Sequence, residues 1–321
     1  MNIFRISLPL PGLGIESVNV YLVGKLLVDS GLYSIRTLHG LARGLKGFGL
    51  KLCDVEAVVV THFHVDHASL LPLLWDACSI DIYMGWGDWE IVRGGAARFV
   101  EEIIEIYKSN GVPPEELSFI IENHPVIRLR DVYEDMLPHI DVKPLRENDV
   151  LSLEGYKLRV VETPGHTPGS ITLLGEGGEA FVGDLLIEDI TPHVVIHRRS
   201  EDPLGEHLKS LKRIEEIKPR IAYPGHRNPV ENPARRAREI IEFHESRLRE
   251  ILEILKEKPM TGYEVAKRVR WRVKYRDWSE YPPTERFFAI GEAIAHLQHL
   301  KQRDLVDQYE EKSHTYWHIK K

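Results

Sequence analysis

The chain has 321 residues, 43% of them hydrophobic, and a formal net charge of −7. This length allows a sizeable buried core and a second module, and no stretch approaches the 18 consecutive apolar residues of a membrane span. The first six residues lack the charged and apolar regions of a signal peptide, so we expect a cytoplasmic protein without membrane contact.

The two cysteines, Cys53 and Cys78, are too few to form a metal site alone. In a reducing compartment we expect them to be small buried residues rather than a disulfide.

Strands and helices alternate in the first part of the chain, judged from hydrophobic periodicity and turn residues. In chain order the predicted elements are a hairpin over 18–29, a helix over 37–45 capped by Ser34 or Thr37, a strand over 55–60, a short helix over 68–75 and a strand over 80–84.

The segment Thr61-His62-Phe63-His64-Val65-Asp66-His67 directly follows the strand predicted over 55–60. It places three imidazoles and a carboxylate at the end of a buried strand, where α/β sheets carry their chemistry. So many close donors indicate a divalent metal, zinc in the first place, with iron or manganese as alternatives. The other interpretation is a histidine-rich surface loop, which further candidate ligands downstream disfavour.

A helical insertion is predicted over about 86–140. Its residues 98–108 have apolar side chains at the spacing of an amphipathic helix. One interpretation of the insertion is a structural cap. The other is that part of it overhangs the segment 61–67, called the metal loop below, and shapes an apolar pocket; the two interpretations are compatible.

Three further candidate ligands follow apolar runs and glycine-containing turns, which places each of them at a strand end. They are His166 in Thr163-Pro164-Gly165-His166, Asp184 in Phe181-Val182-Gly183-Asp184, and His226 in Tyr223-Pro224-Gly225-His226. Seven ligands are enough for two metals. The segment after Asp184 should lie over the site, where His193 could donate a hydrogen bond to a substrate oxyanion; the alternative is a surface or packing histidine.

The C-terminal region has a different character. Residues 246–321 carry 16 Lys and Arg against 12 Asp and Glu, a sum of +4, so the rest of the chain carries −7 − 4 = −11. The elements predicted here are a helix over 233–256 capped by Asn232, a short helix opened by the capping box of Thr261 and Glu264, a longer helix from 283, and a hairpin over 305–309 and 314–319. This order is winged-helix-like. We therefore predict a catalytic domain over 1–245 and a winged-helix-like domain over 246–321.

A basic strip at 268–276 interleaves arginine and lysine with apolar and aromatic residues. Such a composition binds phosphates and stacks bases, which makes nucleic acid a candidate partner. It is equally an interface composition, and the modest charge of the region favours docking of the strip on the acidic domain or on a second copy of the chain in a homodimer.

The ligand motifs occur in the order found in the metallo-β-lactamase-fold superfamily, which this chain resembles. Within that superfamily, residues 226–255 and the C-terminal elements are similar to those of the β-lactamase-like protein 2 and glyoxalase II-like group. The resemblance implies an α/β fold, a four-layer αββα sandwich. It also implies one metal on His62, His64 and His166, a second on Asp66, His67 and His226, and Asp184 as a bridge. A hydroxide between the metals would attack the substrate, with Asp66 in a second, catalytic role as its hydrogen-bond acceptor.

The leading expectation is hydrolysis of a small acyl substrate, a thioester, ester or lactone, because the insertion is apolar. The runner-up is a single-stranded RNA or other phosphodiester endonuclease, as in the β-lactamase-like protein 2 group. A third hypothesis is a non-catalytic regulator or binding module, against which the complete ligand set argues.

Overall fold

Two β-sheets pack face to face at the centre of the molecule. A computed structural model describes residues 2–11, 15–198, 201–272 and 275–320. The first sheet has the order β1-β2-β3-β4-β5-β6. Its strands are β1 Ile3–Pro9, β2 Ser17–Val23, β3 Leu26–Val28, β4 Ala57–Val60, β5 Asp81–Gly85 and β6 Val142–Leu145. The neighbours β3, β4, β5 and β6 run parallel, so the carboxyl ends of β3 and β4 meet at one edge.

The second sheet has the order β11-β10-β9-β8-β7 and is antiparallel except for the parallel pair of β10 and β11. Its strands are β7 Val150–Leu153, β8 Tyr156–Glu162, β9 Ile171–Gly175, β10 Glu179–Gly183 and β11 Ile221–Pro224. Side chains alternate between the two faces of each strand. Val59 and Phe181 point into the core between the sheets, whereas Val58 and Val182 belong to the cores on the outer faces.

Helices cover both outer faces, which completes four layers. Helices α1 (Ile35–Gly47), α2 (Val65–Ala68) and α3 (Leu71–Cys78) follow strands of the first sheet, and α1 is capped by Ser34, as predicted. On the other side, α8 (Pro203–Ile217) and α9 (Pro233–Leu255) bury Leu211 and Ile240 against the second sheet. The packing is therefore the α/β, αββα arrangement expected from the sequence.

The segment between β5 and β6 is helical along most of its length. It contains α4 (Trp86–Arg93), α5 (Ala96–Ser109), α6 (Pro114–Asn123), α7 (Pro125–Arg128), a π-helical turn Val132–Met136 and a 3-10 turn Leu137–His139. The amphipathic helix predicted over 98–108 lies within α5. The insertion packs directly on the metal loop, because Tyr133 donates a hydrogen bond of 2.6 Å to the Phe63 carbonyl.

The C-terminal elements begin with α9, which continues without interruption past residue 245, where the sequence predicts a domain boundary. They continue with β12 (Met260–Thr261), α10 (Gly262–Ala266), a 3-10 turn Trp278–Glu280, α11 (Pro283–Gln302), β13 (Val306–Glu311) and β14 (His314–Ile319). The strands form a sheet in the order β12-β14-β13. Helix α11 is buried on nearly all sides because α6, α8 and α9 pack around it.

The two cysteines differ from the prediction. Cys53 and Cys78 form a disulfide with a Cα–Cα distance of 4.9 Å, and Cys53 is exposed. The expectation of two buried, reduced cysteines is therefore wrong. The 3-10 turn Leu52–Asp54 packs against the end of α3, and this contact between segments that are distant in sequence brings the two sulfur atoms together.

Among the described residues, no helix combines the length and the apolar character that crossing a lipid bilayer requires.

Candidate metal centre

Seven predicted ligands converge at one edge of the two sheets. His62 and His64 lie on the loop after β4, Asp66 and His67 lie in the short helix α2 that follows this loop, and the other three follow β8, β10 and β11. The ligands can converge because the backbone of Gly225 comes very close to the Asp184 side chain. A Cβ atom on Gly225 would lie 2.5 Å from Asp184 Oδ1, so only glycine fits beside the bridging position.

His62, His64 and His166 form the first group of ligand atoms, all within 4.8 Å of one another. His166 Nε2 lies 3.0 Å from His64 Nδ1. Burial, together with the neighbouring imidazoles, lowers the pKa of His62 and of His64 well below the ordinary value. These rings are therefore neutral and present lone pairs, the form in which histidine binds a metal.

Asp66, His67 and His226 form the second group, also within 4.8 Å. His226 Nε2 lies 3.2 Å from Asp66 Oδ2 and 3.4 Å from His67 Nε2. Burial lowers the pKa of His226, but Asp184 and Asp66 raise it by more, to about 11. The two carboxylates thus attract positive charge to this half of the site, a charge that a divalent cation supplies.

Asp184 lies between the two groups. Its Oδ1 is 3.7 Å from His67 Nε2, and its Oδ2 is 3.3 Å from His226 Nε2 and 3.7 Å from His166 Nε2. One carboxylate therefore reaches ligands of both groups, which is the position of a bridge.

The donor set fits metal ions. The buried atoms His62 Nε2 and Asp184 Oδ1 have no hydrogen-bond partner. Buried polar atoms without partners cost about 1–3 kcal/mol each, so two of them at one point indicate a ligand. Nitrogen and carboxylate donors of this kind suit zinc, iron and manganese.

Outer hydrogen bonds orient the ligand rings. His166 Nδ1 donates to the His193 carbonyl at 2.8 Å, and His226 Nδ1 donates to the Ser17 carbonyl at 2.7 Å. His67 Nδ1 donates to Asp29 Oδ2 at 2.9 Å. In each case the bond leaves Nε2 for the metal and fixes the tautomer of the ring.

Asp29 is a functional residue that the sequence analysis missed. Besides holding His67, its Oδ1 accepts hydrogen bonds from the Thr61 backbone N–H at 2.7 Å and from Thr61 Oγ1 at 3.0 Å. Asp29 directly follows β3, which is parallel to β4. The available signal was thus a carboxylate at the end of the strand adjacent to the metal loop.

Asp88 is a second residue that the sequence analysis missed. This fully buried side chain in α4 accepts hydrogen bonds from Phe63 N at 2.8 Å, Thr167 Oγ1 at 2.8 Å and Gly169 N at 2.6 Å. Burial raises its pKa to about 7, although these three donors lower it. Asp88 therefore ties the loop of His62 and His64 to the loop of His166.

His193, the predicted oxyanion donor, contributes its backbone carbonyl to the site through His166. Its half-exposed ring stacks on Phe288 with centroids 4.3 Å apart, and its Nδ1 lies 3.3 Å from Glu292 Oε2. The role of the His193 side chain toward a substrate stays a prediction.

The described residues of the basic strip, 268–272 and 275–276, belong to no helix or strand, and residues 273 and 274 fall outside the described ranges. Arg268 forms an ion pair with Glu257, and the Arg272 guanidinium lies 5.3 Å from the ring centroid of Phe243. These cations therefore have partners within the chain itself.

Known proteins resemble this chain over its whole length. The model of the Metallo-beta-lactamase superfamily matches residues 13–226, a range that contains all seven ligands. Probable metallo-hydrolase YqjP of Bacillus subtilis is 26% identical over 98% of this chain and 97% of its own length. Among solved structures, a metallo-beta-lactamase family protein from Thermus thermophilus has a TM-score of 0.81 and 26% identity, and the match covers 99% of this chain and 98% of that one.

Two relatives match over smaller shares. The beta-lactamase-like protein 2 homolog of Drosophila melanogaster is 33% identical over 40% of this chain and 42% of its own length. The atrochrysone carboxyl ACP thioesterase of Aspergillus fumigatus is 25% identical over 74% of this chain and 59% of its own length.

Proposed function

The chain belongs to the metallo-beta-lactamase superfamily of metal-dependent hydrolases, and from this premise we propose that it is a dinuclear enzyme acting on a thioester, ester or lactone. The observation that carries the proposal is the complete ligand set, in which Asp184 joins two groups of three ligands. A protein that served only as a regulator or binding scaffold would not need to keep all seven.

We propose two divalent ions, zinc in the first place. His62, His64 and His166 would hold one, Asp66, His67 and His226 the other, and Asp184 both. When bound, the ions would supply a water of lowered pKa and polarise the substrate carbonyl.

The chain's own residues hold this chemistry in place. The Asp66 side chain is 14% exposed and lies 3.2 Å from His226 Nε2, and in its second role its carboxylate would accept a hydrogen bond from the attacking hydroxide and orient it. Asp29 keeps His67 in one tautomer, and Asp88 keeps the two loops of the first group at a fixed separation. Together these bonds preorganise the site before substrate arrives.

Two observations support an acyl substrate. One relative is named as a thioesterase that acts on an acyl carrier protein. In this chain, Phe99 of the insertion packs against Phe63 at 5.8 Å between ring centroids, and Phe63 lies 5.3 Å from the ring of His64. Both phenylalanines are buried, so the insertion places an apolar layer directly behind the first ligand group, and we take these apolar surroundings to favour an acyl substrate over a polyanion.

The test is initial-rate hydrolysis by purified protein of known metal content, with a panel of thioesters and lactones against single-stranded RNA. The His62→Ala variant removes a ligand, and His139→Ala, which changes an exposed histidine of the insertion, is the matched control. Acyl turnover that is lost only in His62→Ala supports the proposal. RNA cleavage with the same dependence, and no acyl turnover, refutes the acyl assignment.

The second candidate is a phosphodiester endonuclease. The observation that favours it is the basic strip, in which Tyr275 is exposed and available to stack on a base. The ion pair of Arg268 and the contact of Arg272 with Phe243 reduce the charge that the strip offers to phosphates, so we rank this candidate second.

For the C-terminal region we propose a winged-helix-like module, supported by the order of α10, α11 and the hairpin of β13 and β14. We propose that this module docks the basic strip either on the rest of the same chain or on a second copy in a homodimer. A monomer mass in light scattering would favour the first arrangement, and a dimer mass would favour the second.

We further propose a cytoplasmic location. The Cys53–Cys78 disulfide is typical of oxidising compartments and therefore stands against this location. Trapping the thiols of both cysteines in intact cells tests the proposal: cysteines that are reduced in the cell would support it, and fully oxidised cysteines would contradict it.

A further inference from the structure

The segment 191–197 contacts the metal centre from one side. The backbone carbonyl of His193 accepts the hydrogen bond from His166 Nδ1 at 2.8 Å. This bond determines the direction in which His166 Nε2 points, because the hydrogen bond at Nδ1 stops the ring from rotating about its Cβ–Cγ bond. The placement of the His193 backbone therefore bears on the geometry of the first ligand group.

Helix α11 of the C-terminal region holds this segment from the other side. Ile196 N donates to the Gly291 carbonyl at 3.2 Å. A Cβ atom on Gly291 would lie 2.8 Å from the Cβ of Val195, so glycine is required for the close approach. One turn away, the His193 ring stacks on Phe288 with an interplanar angle of 3°, and its Nδ1 lies 3.3 Å from Glu292 Oε2.

Glu292 is itself buried beside a cation. Its side chain is only 6% exposed, and the Arg247 Nη1 atom, on an equally buried arginine, lies 3.6 Å from Glu292 Oε1. The Arg247 guanidinium also lies 4.3 Å from the ring centroid of Trp271. A buried carboxylate needs such compensation to stay charged, and a charged carboxylate is a strong hydrogen-bond acceptor. One oxygen of Glu292 thus faces Arg247 and the other faces His193.

A third metal ion is the competing explanation for Glu292, because its carboxylate lies within 4.8 Å of ligand atoms of His244 and His296. Three of the four ring nitrogens of these imidazoles have partners without a metal, and only His244 Nε2 has none. His296 Nδ1 donates to the Glu292 carbonyl at 2.7 Å, so His296 Nε2 can accept a hydrogen bond from His244 Nδ1 at 3.1 Å. The cation of Arg247 beside Glu292 also opposes a second cation there.

We propose that Glu292 is a positioning residue of the metal centre. Through the ring of His193 it fixes the backbone carbonyl that orients His166, so the C-terminal region completes the site built by the two sheets. This inference rests on the proposed function only in taking His166 as a metal ligand.

The test compares Glu292→Gln with Glu285→Gln, a control two turns earlier on α11. Metal affinity is measured by competition with a chromogenic chelator, and the visible spectrum of the Co²⁺-loaded protein reports ligand geometry. Glu292→Gln replaces the charge-assisted bond to His193 with a weaker neutral one, so it should weaken binding of one of two ions by ~10-fold, the lower end of the effect of losing an outer hydrogen bond, and should change the Co²⁺ spectrum. Glu285→Gln should leave both unchanged.

His193→Phe is the second variant, in case Glu292→Gln leaves Arg247 unpaired and does not fold. Phenylalanine keeps the stack on Phe288 and the ion pair of Glu292, yet removes the ring nitrogen. It should weaken the same ion by a comparable factor.

Binding of both ions within twofold of the wild-type affinity in a folded variant would overturn the proposal. So would a third ion that is lost in His296→Ala. If the wild-type protein hydrolyses no acyl substrate, the substrate class fails, whereas the affinity comparison still decides the role of Glu292.

Discussion

Removal of the Asp88 carboxylate should separate the two loops that carry the first ligand group. In Asp88→Ala, the backbone N–H groups of Phe63 and Gly169 lose their acceptor, while Thr167 Oγ1 keeps a contact of 2.6 Å with Ser170 Oγ. Both N–H groups lie in segments where water has little access.

The expected cost follows from these two orphaned donors. A buried donor without a partner costs about 1–3 kcal/mol, so we expect the free energy of unfolding to fall by roughly 2–6 kcal/mol. The estimate applies below about pH 7, where burial keeps Asp88 neutral and no buried charge is removed with the side chain. Metal affinity should fall as well, because His64 and His166 lie on the two loops that Asp88 joins.

Urea unfolding of the metal-free protein measures the first effect, and metal titration of the folded variant measures the second. Asp76→Ala is the control, an exposed aspartate of α3 whose replacement should change stability by no more than about 0.5 kcal/mol. If Asp88→Ala lowers the free energy of unfolding by less than about 1 kcal/mol and binds metal as the wild type does, the Asp88 carboxylate does not hold the two loops together.

Three further predictions concern the bridge, the disulfide and pH. Asp184→Ala should lower both the bound-metal ratio and the turnover; a variant with two ions and full activity would show that Asp184 does not bridge. Reduction of the Cys53–Cys78 disulfide, or Cys53→Ser, should lower the free energy of unfolding by about 3 kcal/mol through loop-closure entropy, and a calorimetric scan in which the reduced protein melts unchanged would contradict this. The raised pKa of Asp88, about 7, makes the folded protein bind this proton more tightly than the unfolded chain, whose aspartate pKa is about 4. The bound proton therefore stabilises the folded protein fully below about pH 4, and this stabilisation is lost as the pH rises to about 7. The free energy of unfolding of the metal-free wild type should fall more over this range than that of Asp88→Asn. A difference between the two proteins that does not change with pH would refute the raised pKa of Asp88.

The predictions that depended on local sequence hold in the structure. Every expected helix and strand of the first domain is present within a few residues; the strand predicted over 55–60, for example, is β4, Ala57–Val60. The Asn232 cap and the box of Thr261 and Glu264 are also confirmed. These features are encoded by neighbours a few positions apart.

The metal ligands were readable for the same reason. Each lies within a few residues of a strand end and a turn, and the ends of neighbouring strands must meet at the edge of a sheet. The sequence by itself therefore predicted which seven side chains would meet, and the resemblance of their order to a known superfamily predicted the four-layer class of the fold.

Only the tertiary structure decided which groups support those ligands. Asp29 is 38 residues from His67, and Glu292 is 99 residues from His193. Two further contacts also join segments that no local pattern relates: the disulfide of Cys53 and Cys78, and the hydrogen bonds of Asp88 to the two ligand loops. Such contacts depend on how finished elements dock, because docking is set by the summed packing of many side chains and not by the spacing of a few residues along the chain.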